Sequence, residues 1–154
     1  MKIVNLASRE SAWRGYEYYK AGNVVSCEAV EEGVYQGKVR GSENAVYSVL
    51  INVNRPHNSS CNCPFSKSGT RIVCKHQVAL YFAAFPDDAV EYKKQVDKEQ
   101  AEYEDWVESL PDRVETYIRK LSKAELQEQL IDIVLNSEDW ILERYIRDHD
   151  IDED

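Results

Sequence analysis

Residues 61–76 read CNCPFSKSGTRIVCKH and hold three of the chain's four cysteines and one of its three histidines. Cys61 and Cys63 stand one residue apart, as do Cys74 and His76, and ten residues separate the two pairs. Three thiolates and an imidazole, sorted into two close pairs, are the donors of a tetrahedral zinc site. In extended chain, residues i and i+2 point to the same side, so Cys61 and Cys63 can aim both sulfurs at one ion. On a helix the same spacing diverges around the axis. Cys74 is therefore expected just before a helix, with His76 in its first turn. One intervening residue is shorter than the two found in the commonest zinc knuckle. His57, four residues before Cys61, is the rival ligand, but a complete set leaves it no vacancy and assigns it to solvent.

Upstream, three segments have strand character. Residues 23–30 (NVVSCEAV) alternate, with Val25, Cys27 and Ala29 on one face. Cys27 reads there as a small buried hydrophobe rather than a ligand or nucleophile. Residues 34–41 (VYQGKVRG) alternate less cleanly, and Gly37 marks a bulge. Residues 45–53 (AVYSVLINV) alternate best, with Tyr47, Val49, Ile51 and Val53 opposite Val46, Ser48, Leu50 and Asn52. Short turn-like links predict an antiparallel three-stranded meander that delivers the chain to the metal loop. Before it, residues 8–21 are expected to be helical, capped by Ser8 and ended by Gly22. Tyr16, Tyr18 and Tyr19 read as core or rim packing, although with Arg14 and Lys20 they also suit base stacking.

Downstream, residues 77–85 (QVALYFAAF) predict an apolar helix stopped by Pro86. Asp87 or Asp88 is then expected to cap a helix reaching about Ser109, and Pro111 to start another over residues 113–121. Ser122 and Glu125 have capping-box spacing. Behind them Leu126, Leu130, Ile133 and Val134 form an apolar stripe. Ser137 is expected to cap a last helix bearing Trp140, Ile141, Tyr145 and Ile146. Helical hairpins over residues 122–147 would bury these faces against each other, ahead of an acidic tail, residues 148–154.

The pattern Cys-x-Cys, a gap, then Cys-x-His resembles the SWIM zinc finger, found in bacterial Swi2/Snf2-type ATPases, plant transposases and some signalling proteins. Pro64, Lys75 and the apolar helix after His76 match the family's surroundings of the ligands. Residues 15–51 and 121–146 are similar to the flanking segments of bacterial members. The resemblance implies Cys61, Cys63, Cys74 and His76 as ligands of one structural zinc per chain. It also implies a role in binding DNA or proteins, such as a Swi2/Snf2-type ATPase.

Composition bounds the rest. The 154 residues carry 43% hydrophobic and 31% charged residues, as globular chains do. No apolar run suits a membrane span, and MKIVNLASRE lacks the plan of a signal peptide. A cytoplasmic setting is expected, where paired cysteines more often bind metal than each other. Net charge is −9, yet residues 1–85 carry ten basic and six acidic residues while residues 86–154 carry nine and 22. Two surfaces with different partners would explain the division; so would acidic helices kept for solubility.

The expected architecture is α+β. Residues 1–85 form a zinc-finger module of helix, meander, zinc loop and helix, and residues 86–154 an acidic helical extension. Four protein ligands close a metal shell, and no paired-carboxylate, phosphate-loop or triad pattern stands out, so an enzyme acting on a small-molecule substrate is not expected. Two binding readings remain. The chain docks on another protein, or it binds nucleic acid through Lys38, Arg40, Arg55, Lys67, Arg71 and Lys75 around the metal loop.

Overall fold

The structure, a computed structural model, describes residues 2–42, 45–67 and 73–151. The chain divides into two compact units, residues 1–98 and 99–154. The charge break at Pro86 falls within the first. Among the described residues, no helix is long and apolar enough to cross a membrane.

The first unit is built on one buried helix. Helix α3, Lys75–Ala84, buries every residue from His76 to Phe82. A helix that is apolar all round must be covered on all sides. On one side lies α1, Arg9–Lys20, and on the other an antiparallel sheet of four strands in sequential order. These are β1 (Val24–Glu31), β2 (Val34–Arg40), β3 (Val46–Asn52) and β4 (Ser60–Cys61). The predicted meander is present, and Ser60 with Cys61, the first residue of the metal segment, extends it. Val49 pairs with Cys61 and Leu50 with Ser60. A pairing this short carries no periodicity in the sequence.

The alternation of β3 is as expected, with Val49 and Ile51 buried. That of β1 is not. Its register against β2 shifts between Val24 and Ser26, so a bulge turns Val25 outward, 53% exposed. Val24 and Cys27 pack against the core instead, and Ala29 is exposed. Gly37 is no bulge: it pairs regularly with Cys27 and Val49. A Cβ there would lie 2.1 Å from the Ser26 carbonyl oxygen and 2.6 Å from Leu80 Cδ1. Gly15 plays the matching part on α1, where a Cβ would meet Val78 Cβ at 2.5 Å and the Lys75 carbonyl oxygen at 2.8 Å. These two glycines let α3 sit close to both its neighbours.

Helix α1 begins as predicted, with the Ser8 hydroxyl accepting the Ser11 N–H at 3.1 Å. Its tyrosines pack rather than stack outward. Tyr16 and Tyr19 meet Phe82, at ring separations of 5.9 and 6.1 Å. A 3-10 turn, Ile3–Leu6, adds the buried Ile3 and Val4.

Helix α4 runs without interruption over Pro86–Ile118. Pro86 opens it, where the missing N–H costs nothing. Asp87 and Asp88 lie in its first turn, not at the cap. There Asp88 accepts bonds from Tyr81 Oη and, at 2.9 Å, from Lys2 Nζ. Burial works against the Asp88 carboxylate, but these two donors hold its pKa below the ordinary value. Pro111 lies inside α4 and does not divide it. Two residues before it, the Ser109 hydroxyl donates to the Trp106 carbonyl at 2.7 Å.

In the second unit, α5 (Lys123–Leu135) starts with the predicted capping box of Ser122 and Glu125. Helix α6 (Asp139–Asp148) follows Glu138, because the Ser137 hydroxyl turns back to the Val134 carbonyl instead of capping. The expected mutual burial of α5 and α6 does not occur. Val134 is the only buried residue among those described in this unit.

Candidate metal centre

Strand β4 places Cys61 against β3, and Cys63 follows just before the short helix α2, Pro64–Lys67. Cys74 occupies the N-cap of α3 in extended conformation, with His76 in the first turn, as the spacing predicts. The two pairs converge. The ligand atoms of Cys61, Cys63, Cys74 and His76 all lie within 4.8 Å of one another, and all four residues are buried. His76 Nδ1 is 3.9 Å from Cys61 Sγ and 4.0 Å from Cys74 Sγ. No disulfide joins the cysteines. This Cys₃His cluster can hold one metal ion.

Its electrostatics suit a cation. Three buried thiols cannot all ionise beside one another without a compensating charge. Cys61 is pushed up, first by its bond to Cys74 and then by burial, and burial also raises Cys63. Cys74 is lowered to about 4 by the bond from Cys61, against the effect of burial, with help from His76 and the Gln77 backbone N–H. Within the cluster the thiolate form is thus favoured at Cys74, at the positive end of α3. Gln77 completes the arrangement, its side-chain oxygen accepting the Cys74 N–H at 2.9 Å. That makes Gln77 part of the site, and its position three residues after an N-cap was the available signal.

The two ring nitrogens of His76 differ. Its Nε2 is buried and has no hydrogen-bond partner among the described residues. Nδ1 instead faces the sulfurs of Cys61 and Cys74, and a metal ion held among them would give it a partner. Tyr47 and Tyr18 hold the ring from two sides, at 4.6 and 5.6 Å between centroids. A cavity of about 320 Å³ adjoins Cys63, Cys74 and His76 between α1 and α2.

No protein-family model, curated protein or solved structure gives a significant match to the chain.

Of the predicted basic residues, Lys75 adjoins the cluster, whereas Lys38 and Arg40 do not. Lys38 and Arg40 are exposed on β2 and alternate with the buried Val39, which puts them on the sheet face turned away from α3. Arg55 is exposed beside the 3-10 turn Pro56–Asn58. Lys75 donates to Tyr18 Oη at 2.7 Å and lies 4.3 Å from the centre of that ring. Arg71 and the Lys67 side chain lie outside the described residues. His57 is exposed, as expected, and takes no part in the cluster.

Proposed function

We propose that the chain is a non-catalytic binding module, of the SWIM type its motif resembles, folded around one structural zinc and docking on another protein. The buried Cys₃His cluster carries this reading. Zinc bonds of about 2.3 Å to sulfur and 2.0 Å to nitrogen imply S···N edges of about 3.5 Å in a tetrahedron. The observed 3.9 and 4.0 Å need only a small contraction on binding. Soft thiolates favour zinc over harder cations. A catalytic zinc keeps one position for water, whereas four protein donors fill the shell. The metal's contribution is then to folding, on the order of 10–16 kcal/mol in zinc-finger peptides.

Two observations favour a protein over nucleic acid as partner. The ammonium of Lys75 is engaged by Tyr18, and Lys38 and Arg40 lie on the other face of the sheet. The net charge of −9 also slows encounter with phosphate. A cytoplasmic setting suits three free thiols at a metal site. The test is a salt-titrated binding assay of the intact chain with single- and double-stranded DNA and RNA. Negligible binding at physiological salt is expected. Tight, salt-sensitive binding, weakened by replacing Lys67, Arg71 and Lys75 together, would favour the nucleic-acid reading instead.

A further inference from the structure

We infer that the second half of α4 is a docking seam for a basic, apolar-striped helix of another protein. The inference rests on the protein-docking reading above and names the surface and the partner's chemistry.

Tyr103, Val107, Leu110, Val114 and Tyr117 recur at intervals of four, three, four and three residues. This is the mean spacing of 3.5 that keeps one helix in register along another. A stripe of this kind normally faces a core, yet here it does not. Tyr103 is 59% exposed, Val107 41%, Val114 53% and Tyr117 55%. With Val134 the only buried residue described in the unit, α5 and α6 leave most of the stripe uncovered; Leu110 is half-buried, and Gln129 of α5 donates to Tyr117 Oη at 3.1 Å. A contiguous exposed apolar surface marks an interaction site.

Charge selects the occupant. Residues 99–154 carry 18 acidic and six basic residues, a net −12. Nucleic acid and anionic membrane are repelled by such a surface. Two copies meeting seam to seam would set −12 against −12. A helix with an apolar stripe flanked by Lys and Arg gains on both counts, because complementary charge speeds encounter and rejects wrong partners.

Trp106, beside the seam and 49% exposed, is a built-in reporter. The probe is a designed Leu/Lys helix added to the full chain carrying Trp13→Phe and Trp140→Phe, so that only Trp106 emits. A saturable blue shift is expected. A scrambled peptide of the same composition, and a Leu/Glu analogue, should produce none. Val107→Asp with Val114→Asp should weaken binding about tenfold or more while metal content stays unchanged. Absence of a saturable shift, or an equal response to the scrambled peptide, would overturn the inference. So would blue-shifted emission in the free chain, which in a sedimenting dimer would assign the seam to a second copy. A parallel capture of partner proteins separates the two levels. Equal recovery by wild type and the double Asp variant would remove the seam and leave protein docking standing. No protein recovered by wild type, together with tight nucleic-acid binding, would remove both.

Discussion

Cys74 joins the metal loop to the buried helix, and its ionisation sets how the cluster takes up metal. Within the fold its pKa is lowered by the bond from Cys61, with help from His76 and Gln77, while those of Cys61 and Cys63 are raised. Metal uptake at pH 7 should release thiol protons, because zinc is ligated by thiolates. Calorimetry in buffers of different ionisation enthalpy counts them, and an uptake that releases none would contradict thiolate ligation. Affinity should fall as pH falls, because the displaced protons compete with the metal. Substitution separates the cysteines: Cys74→Ser should lose the metal and most of the fold, whereas Cys27→Ser should keep the metal. Elemental analysis of both variants decides, and a metal-free Cys27→Ser protein would refute the ligand set. The four ligands were legible because their spacing is itself the signal. Gln77, Tyr18 and Tyr47 were harder to see, since their roles depend on the contacts they make around Cys74 and His76.

At the scale of elements, the two tight glycines give a prediction with an unusual sign. On a helix, Gly→Ala ordinarily stabilises by about 1 kcal/mol. Gly15→Ala should instead destabilise by roughly 1–3 kcal/mol, because the new methyl meets Val78 Cβ and the Lys75 carbonyl, which no rotamer change can move. Chemical denaturation measures it, and a stabilised variant would mean that α1 and α3 are not so closely packed. Pro111 tests α4 in the other direction. It withholds one N–H from a continuous helix, so Pro111→Ala should raise helicity and add up to about 3 kcal/mol locally. Reduced helicity would indicate that Pro111 opens a separate helix. That break was the natural reading of the sequence, since proline usually ends a helix. Strand β3 was legible because one face is buried and the other wet, as were the hydroxyl caps at Ser8 and Ser122. The bulge at Val25 was not: one extra residue flips the face of a strand whose composition looks the same in either register.

On the scale of the whole chain, charge breaks at Pro86 and compactness at residue 98. Residues 1–98 fold around α3 and the cluster, while residues 99–154 are strongly acidic and bury almost nothing of their own. The sequence showed the charge division but not the missing burial, because an apolar stripe looks the same whether or not something covers it. In the first unit the cysteine cluster sits at the junction of β4, α2 and α3, so the metal is expected to be a condition of folding. Native mass spectrometry of the purified, intact chain reads metal content and compactness together. A compact ion carrying one zinc is expected, and, after chelation, an extended metal-free ion of high charge. A compact chain that carries no metal would contradict it.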